Sequence, residues 1–486
     1  MAGGDTYMEK ILEKDLEITA DPYSKDEKQQ IDEKLDCLIA SFSRKIVVID
    51  DDPTGGQTLH DIMVYTDWSV KTLLEAFADS RRMFYIMTNS RSLTERETIE
   101  VHKEIVANIV KAAKETKNAY LVISRGDSTL RGHYPLETQI LQEELAGKDK
   151  NFIDGELIIP FFKEGGRYTI DDVHYLSNGK MLIPVGQSEF AEDRTFGYKN
   201  SNLKAWIEEK TRGEYCAESV RSVPLSMLRR LDYEGITELL LTVSSFDKVV
   251  VNATCYTDLK VFAIAFLQVL QLGKNFLART AAGWPKVLCG IKDDVILTGK
   301  ELAKGDQKNG GLIVVGSHVK KTTAQLAQLQ TSRKPIAFIE FNQHLAMEPD
   351  GLEQEVLRVA EEAQKMIGQG TTAAIFTKRE RIDFGTQNPE EELAITRRIA
   401  DAVTNIVKKL NIMPRFIIAK GGITSSDVAV KALHTDKALI LGQAYPGIPV
   451  WELGENSRYP GVPYIIFPGN VGMEDTLKNI TEGLMD

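Results

Sequence analysis

The chain has 486 residues, of which 43% are hydrophobic and 27% charged, and its formal net charge is −11. This length predicts two or three domains, and the composition is typical of a soluble globular protein. The negative charge argues against nucleic acid as a partner, because phosphate backbones are bound by clustered Lys and Arg. No apolar run has membrane-spanning length, so no contact with a membrane is expected. The four scattered cysteines, without CxxC pairs or zinc-like His spacing, predict a reduced cytoplasmic protein.

Residues 1–43 are charged and carry narrow apolar stripes, which predict a helical extension that packs on a domain or a partner. From Lys45 onward, short apolar runs alternate with polar, helix-like segments. The first series of predicted strands is Ile46–Ile49, Met83–Met87, Tyr120–Ile123, Leu157–Phe161 and Val249–Val251. The second series is Leu312–Val315, Ile336–Phe341, Ala373–Phe376, Phe416–Ala419, Ala438–Leu441 and Tyr464–Phe467. Predicted helices between them include Leu93–Glu115, Glu353–Met366 and Glu391–Leu410.

Strand–helix alternation on this scale predicts an α/β protein with mainly parallel sheets flanked by helices. The two series are separated by Phe276–Lys308, which indicates two α/β domains. We therefore expect a helical N-terminal extension at residues 1–43, one domain at 44–290 and a second at 291–486. The active site is expected in the cleft between the two domains.

The most distinctive stretch is Asp50–Asp61, with the sequence DDDPTGGQTLHD, directly behind the first predicted strand. It brings three carboxylates and a glycine-containing turn to the carboxyl end of that strand, where open α/β sheets bind ligands. Adjacent carboxylates repel one another unless a cation or a hydrogen-bonding ligand lies against them. A plain acidic turn is the alternative interpretation.

Polar motifs follow three further strands of the first series. They place four arginines at one predicted sheet edge, namely Arg91, Arg125, Arg131 and Arg167. Guanidinium groups bind carboxylates bidentately, whereas Asp, Asn, Ser and Thr bind hydroxyl groups. Each arginine alone is typical of a surface ion pair, but together they predict a pocket for a small polyhydroxy acid.

The second series has a glycine loop between strand and helix at three places, beginning at Gly316, Gly421 and Gly469. This arrangement presents free backbone amides and the positive end of a helix dipole to phosphate, so a nucleotide phosphate site is predicted. Walker A and GxGxxG patterns are absent. Lys420 precedes one of these loops, but a lone lysine is predicted to be exposed to solvent and is not assigned to the site.

These motifs make the chain similar to the four-carbon acid sugar kinase family, once catalogued as a domain of unknown function. The resemblance runs from about Lys45 to the C-terminus. The matching motifs are Asp51-Asp52-Pro53-Thr54-Gly55, the full Asp-Ser-Thr-Leu-Arg-Gly at Asp127–Gly132, Gly166-Arg167, Gly316-Ser317, Gly421-Gly422-Ile423-Thr424 and Pro468-Gly469-Asn470-Val471-Gly472. Pro53, Gly56-Gln57 and the added segment Tyr168–Lys210 depart from the family pattern, which bears on the substrate more than on the chemistry.

The resemblance implies an ATP-dependent kinase that phosphorylates a hydroxyl of a small four-carbon sugar acid, such as a tetronate or 3-oxo-tetronate. Asp52, with Asp51 as second choice, is expected to accept the hydroxyl proton. The expected acid-binding residues are Thr54, Gly55, Arg91, Asp127, Ser128, Arg131 and Arg167. The expected nucleotide-binding residues are Ser317, Gly421, Gly422, Ile423, Thr424, Gly469, Asn470 and Gly472. Mg²⁺ is expected to be carried on the ATP phosphates, without a dedicated protein site.

A homodimer is the expected assembly, since two-fold dimers are the commonest. Two other functions are compatible with the same residues. An aldolase or epimerase acting on a sugar acid would need a Schiff-base lysine or a set of metal ligands, and neither stands at a convincing spacing. A non-catalytic regulatory protein could bind the acid and the nucleotide without turnover.

Overall fold

The computed structural model describes residues 10–13, 15–149, 152–292, 295–302, 308–348, 350–380, 389–469 and 471–486. The chain forms two compact units. The first comprises the chain up to Asp51 together with Trp68–Lys292, and the second comprises Asp52–Asp67 and the chain after Lys292. The segment that follows Asp51 therefore belongs to the second unit, although it lies early in the sequence.

The strands are β1 Leu12–Glu13, β2 Lys45–Asp50, β3 Ile62–Tyr65, β4 Met83–Met87, β5 Tyr120–Arg125, β6 Gly155–Ile159, β7 Arg167–Ile170, β8 Val173–Ser177, β9 Met181–Pro184, β10 Arg221–Val223, β11 Asp247–Val251, β12 Phe276–Thr280, β13 Leu312–Val315, β14 Ile336–Phe341, β15 Thr372–Thr377, β16 Ile417–Lys420, β17 Lys437–Tyr445, β18 Ile448–Leu453 and β19 Pro463–Phe467.

The α-helices are α1 Asp15–Ile18, α2 Lys25–Ser41, α3 Val70–Ala78, α4 Glu95–Thr116, α5 Leu136–Asp149, α6 Leu203–Lys210, α7 Leu225–Arg229, α8 Tyr233–Leu241, α9 Tyr256–Gln271, α10 Gly283–Cys289, α11 Gly299–Leu302, α12 Lys320–Leu329, α13 Gly351–Gly368, α14 Pro389–Lys409, α15 Gly422–Asp427 and α16 Thr476–Met485. One π-helical turn, Val428–Ala432, continues α15.

The first unit contains a parallel sheet in the order β10-β11-β6-β12-β5-β2-β4. Its strands are apolar on both faces, as expected for a parallel sheet covered by helices. The segment that was predicted to separate the domains begins with β12, which instead lies between β6 and β5 in this sheet. The prediction that Phe276–Thr280 separates the two domains is wrong. The apolar run there has only three residues before Arg279, which is too short to be recognised as a strand from the sequence.

The first unit also has a small antiparallel sheet in the order β1-β9-β8-β7. The N-terminal extension supplies β1 and then α2, which packs against α9. The Tyr23 hydroxyl donates to Asp258 Oδ1 at 3.0 Å, and Ile31, Leu35 and Ile39 are buried on one face of α2. The extension is therefore held by an apolar stripe and by a strand pairing.

The second unit has the strand order β3-β17-β18-β19-β16-β13-β15-β14. The run from β19 to β14 is parallel, whereas β3, β17, β18 and β19 pair antiparallel. One face of the parallel part is covered by α12 and α16, whose buried leucines pack on β13, β16 and β19. The predicted class, two α/β domains with mainly parallel sheets flanked by helices, is confirmed. In the described part of the chain, no helix could cross a membrane.

Candidate functional site

The carboxyl ends of β2 and β5 bring two acids and one arginine together. Asp50 and Arg125 are register partners in these neighbouring strands. Arg125 Nη1 donates to Asp50 Oδ1 at 3.1 Å and lies 3.6 Å from Asp51 Oδ1. All three side chains are buried. The acidic run after β2 is thus neutralised in part from within the protein, which removes the repulsion expected for adjacent carboxylates.

Arg91 completes the pairing of Asp51. It lies in the 3-10 turn Ser90–Ser92 that follows β4. Its Nη2 is 2.8 Å from Asp51 Oδ1 and its Nε is 3.2 Å from Oδ2, which is a bidentate contact. Burial raises the pKa of the Asp51 carboxyl, and the Arg91 and Arg125 guanidinium groups oppose that shift. Asp51 is therefore bonded to arginine on both oxygens.

The loop Asp127–Gly132 folds around a second carboxylate–guanidinium pair. Arg131 Nε donates to Asp127 Oδ2 at 2.8 Å, and the Thr129 hydroxyl donates to the same oxygen. Arg91 Nη1 lies 4.0 Å from the other Asp127 oxygen. Burial would raise the pKa of Asp127, but Arg131, Arg91 and Thr129 hold it well below its usual range. Asp127 is thus a permanent carboxylate that links the two arginines.

Ser128 and Thr129 in this loop are fixed by the segment 168–210. His174 Nε2 lies 2.8 Å from the Ser128 carbonyl oxygen, and the Tyr198 hydroxyl donates to the Thr129 carbonyl at 2.6 Å. Burial lowers the pKa of His174 to about 4, so the ring is neutral near pH 7. The segment that departs from the family pattern therefore supports the loop directly.

Arg167 lies at the start of β7 beside the same loop. The guanidinium carbons of Arg131 and Arg167 lie 4.9 and 5.9 Å from the centre of the Phe190 ring. Burial lowers the pKa of Arg167 to about 10, with Asp127 opposing that shift. Within the described part of the chain, Arg167 Nε has no hydrogen-bond partner. This guanidinium is suited to a ligand carboxylate.

Arg279 on β12 was not predicted as part of this cluster. It is 5% exposed, and its Nη2 donates to the Arg131 carbonyl oxygen at 3.1 Å. A Cβ at Gly126 would lie 1.7 Å from Arg279 Nη1, and one at Gly132 would lie 3.1 Å from Asp51 Oδ2. Both glycines are needed for these close approaches. Arg279 could have been found only if β12 had been recognised as a strand of the first unit.

Asp52, Thr54 and Gly55 lie in the second unit. Asp52 precedes the 3-10 turn Pro53–Gly56, and its Oδ1 accepts from the Thr54 backbone N–H at 2.7 Å. Its other oxygen faces α15, because a Cβ at Gly422 would lie 2.9 Å from Asp52 Oδ2. Asp52 is buried. The structure thus brings Asp52, with Thr54 and Gly55, next to one of the three glycine turns.

The three glycine turns follow neighbouring strands, β13, β16 and β19. They converge on Ser317. A Cβ at Gly421 would lie 3.2 Å from Ser317 Cβ, and one at Gly469 would lie 3.1 Å from Ser317 Oγ. A Cβ at Gly316 would lie 2.3 Å from Thr424 Oγ1. Glycine at these positions leaves space that any side chain would fill, as a phosphate site requires.

The remaining predicted nucleotide residues lie around these turns. Ile423 is 57% exposed, and Gly472 has a φ of +82°, which favours glycine. Asn470 lies outside the described residues. Among the described residues, the N-cap side chains of α12 and α16 make no capping hydrogen bond. The positive dipole ends of these two helices favour an anion nearby.

Lys420, at the end of β16, contradicts the expectation of solvent exposure. Its side chain is fully buried, and Nζ donates to the Pro468 carbonyl oxygen at 3.0 Å. The ammonium lies 3.7 Å from the centre of the Phe467 ring. Burial, helped by Lys321, lowers the pKa of Lys420 to about 6. The exposure prediction is wrong, because Lys420 extends over the apolar face that α12 and α16 cover.

The described residues contain no group of three or more His, Cys, Asp or Glu side chains that could hold a metal ion. The donors at the glycine turns are amides, hydroxyls and cations, which suit phosphate oxygens. The residues present thus fit the phosphates of a nucleotide, through the space at Gly421 and Gly469 and the amino ends of α12 and α16.

Comparisons with known proteins also divide the chain in two, although the first match includes Asp52–Asp67, which the structure packs with the second unit. Residues 46–288 match the model of a sugar-binding N-terminal domain, and residues 312–477 match that of a nucleotide-binding C-terminal domain. No curated protein matches the chain in sequence.

Two solved structures share the fold. A protein from Salmonella typhimurium LT2, provisionally named a tRNA synthase, has 16% identity and a TM-score of 0.62 over 89% of this chain and 98% of its own. A Haemophilus influenzae protein assigned to DUF1537 has 18% identity and a TM-score of 0.56 over 90% of this chain and 100% of its own. On the two domain matches, which span most of its length, this chain belongs to the four-carbon acid sugar kinase family.

Proposed function

We propose that this protein transfers the γ-phosphoryl group of ATP to a hydroxyl group of a small sugar acid, with a four-carbon acid such as a tetronate or 3-oxo-tetronate as the expected substrate. One observation carries this proposal. Asp51 belongs to the arginine cluster of the sugar-binding unit, and the next residue, Asp52, lies against a glycine turn of the nucleotide-binding unit. Two consecutive residues therefore belong to the two proposed binding sites.

The first unit supplies groups for the acid. Arg167 has an unused Nε among the described residues and is the best candidate to bind the substrate carboxylate. Arg91 and Arg131 add positive charge, and the ionised Asp127 accepts hydrogen bonds from substrate hydroxyls. The Ser128 hydroxyl is a further candidate for that contact. This combination suits a small anion with several hydroxyl groups.

The second unit supplies groups for the nucleotide. The backbone at Ser317, Gly421 and Gly469 would contact the phosphates, and the exposed Ile423 lies beside them as an apolar surface. When bound, Mg-ATP supplies the phosphoryl group and the cation that neutralises charge on it. The chain contributes position and positive charge.

Asp52 is the proposed acceptor of the hydroxyl proton. Phosphoryl transfer needs a positioned base more than covalent chemistry. Both oxygens of Asp51 are bonded to guanidinium groups, whereas Asp52 Oδ2 faces the Gly422 turn. The position of Asp52 beside a turn of the nucleotide-binding unit favours it over Asp51. Asp51 would then orient Arg91 for the substrate.

A coupled ADP-release assay with Mg-ATP tests the proposal on threonates, erythronates, 3-oxo-tetronates and five-carbon analogues. We expect turnover on one acid and its loss by a factor of about 10³ in Asp52→Asn. Asp26→Asn, an exposed aspartate in α2, is the matched control and should keep full activity. Turnover that survives Asp52→Asn would exclude Asp52 as the base. Acid binding without ADP release would support the regulatory alternative, and ATP-independent conversion of the acid would support an aldolase or epimerase.

A further inference from the structure

We propose that Lys420 binds the polyphosphate of the nucleotide and that this binding is coupled to the uptake of one proton by the protein. The inference rests on the proposed nucleotide site and adds to it a buried cation that the sequence had placed in solvent. It explains why a lysine occupies the end of the middle strand among the three glycine turns.

The position of the side chain is the first argument. Lys420 is the register partner of Val315 on one side and Phe467 on the other, so its stem lies in the apolar layer beneath α12 and α16. Its Nζ bonds to one carbonyl, that of Pro468, where the turn to Gly469 begins. An ammonium has three donors, so two remain for a ligand in this turn. No ion pair with Lys420 is formed by the described residues.

The charge around Lys420 is the second argument. Lys321 on α12 adds positive charge. Arg379, in the loop after β15, adds more, and its Nη2 donates to the Ser317 carbonyl oxygen at 2.7 Å. The amino ends of α12 and α16 are also positive. A buried cation in these surroundings is unfavourable until an anion binds.

In the described part of the chain, no carboxylate forms an ion pair with Lys420. His318 follows β13 and lies 3.2 Å from the Thr377 hydroxyl. Glu474 and Asp475, which precede α16, are exposed, and Lys320 on α12 is exposed as well. Asp52, the carboxylate of the site, lies against Gly422. The anion that this arrangement lacks is therefore expected from the ligand.

The linkage has a definite sign. In the free protein, burial lowers the pKa of Lys420 to about 6, so the amine is neutral at about pH 8. A polyphosphate beside it would raise the pKa above the solution pH, and the complex would bind one more proton than its separate parts. As the pH rises from the pKa of Lys420 in the free protein to its pKa in the complex, nucleotide affinity should then fall by up to about tenfold for each pH unit.

Isothermal titration calorimetry tests this at about pH 8, where free ADP carries no phosphate proton. ADP and inorganic pyrophosphate are titrated separately, in buffers of different ionisation enthalpy, and the slope gives the number of protons taken up. With ADP we expect close to one proton for the wild type, none for Lys420→Met, and binding at least about tenfold weaker in the variant. Pyrophosphate still carries a proton of its own at this pH, so its titration measures anion binding only. Lys409→Met, an exposed lysine in α14, is the matched control.

Lys420→Met keeps the apolar stem and removes the amine, so it should fold with an unchanged or higher Tm. If the wild type takes up no proton on ADP binding, or if the uptake persists in Lys420→Met, the inference about Lys420 is overturned and the proposed function is not. Pyrophosphate binding that weakens in Lys420→Met, without any binding of ADP, would support the anion site and contradict the ATP function. Failure of both anions to bind would overturn both proposals.

Discussion

The carboxylate of Asp52 occupies the space that a side chain at Gly422 would need, since a Cβ there would lie 2.9 Å from Asp52 Oδ2. Gly422 is the first residue of α15 and has an ordinary helical backbone. The glycine is therefore required by the neighbouring carboxylate and not by its own φ. The proposed base and the glycine turn fit each other at one point.

Gly422→Ala should displace the Asp52 carboxylate without breaking the fold. We expect turnover to fall by about ten- to a hundredfold, because small displacements of a catalytic group are costly. Stability should change little, since alanine is favoured in a helix by up to about 1 kcal/mol. The assay is ADP release together with the Tm. Gly147→Ala in α5, where no atom lies within 4 Å of the added Cβ, is the control and should leave activity unchanged.

Arg91→Ala should weaken the fold as well as the acid site. It leaves the buried Asp51 with one fewer cation, and removing one partner of a buried pair costs about 3 kcal/mol, less where the arginine is partly exposed. We expect a loss of about 2 kcal/mol in the free energy of unfolding, measured by urea denaturation. Arg96→Ala, in an exposed pair with Glu100, should cost less than about 0.5 kcal/mol. Equal losses in the two variants would contradict the bidentate contact.

Arg167→Met should weaken binding of the acid and leave binding of the nucleotide unchanged. Its guanidinium is the proposed carboxylate ligand, and methionine can still pack against Phe190. We expect the KM for the acid to rise about ten- to a hundredfold, with the Kd for ADP unchanged. Arg230→Met, on an exposed part of the first unit, should change neither. A weakened ADP Kd in Arg167→Met would show that its effect is on the fold.

His174 should make the first unit sensitive to mild acid. Its pKa is about 4 in the folded protein, against about 6.5 in the unfolded chain, so the unfolded state binds more protons between these values. Stability is therefore full above about pH 6.5 and falls by about 1.4 kcal/mol per pH unit down to about pH 4. Urea denaturation of wild type and His174→Gln at a series of pH values checks this. The difference between the two should shrink as the pH falls, and a constant difference would contradict it.

Lys420 also tests the aldolase alternative, since a buried lysine with a lowered pKa is what Schiff-base chemistry needs. Its Nζ is bonded to the Pro468 carbonyl oxygen beside the glycine turns, where phosphate and not the acid is proposed to bind. We therefore expect no covalent adduct when the protein is incubated with a 3-oxo-tetronate and reduced with borohydride. A mass increase on the peptide that contains Lys420 would favour the lyase.

The sequence predicted the fold where local patterns determine it. The runs at Ile46–Ile49 and Leu312–Val315 are apolar on both faces, and the strands form there. The pairing of β3 with β17 joins residues far apart in the chain, so no local pattern could show that Asp52–Asp67 belongs to the second unit.

The same limit applies to the site. The arginines after β4 and β5 could be proposed from their position at strand ends. Arg279 and Lys420 could not, because one lies in a strand with only three apolar residues and the other is buried by helices from distant parts of the chain. Burial of a polar side chain depends on tertiary packing, which single-residue tendencies do not report.

The proposed reaction joins a phosphoryl group to a hydroxyl of a sugar acid. The most direct measurement is ³¹P NMR of the products after incubation with Mg-ATP and each four-carbon acid. We expect a new phosphate-ester signal from one acid, formed in equal amount with ADP and absent in Asp52→Asn. ADP that appears only with inorganic phosphate, or an acid that is converted without consumption of ATP, would contradict it.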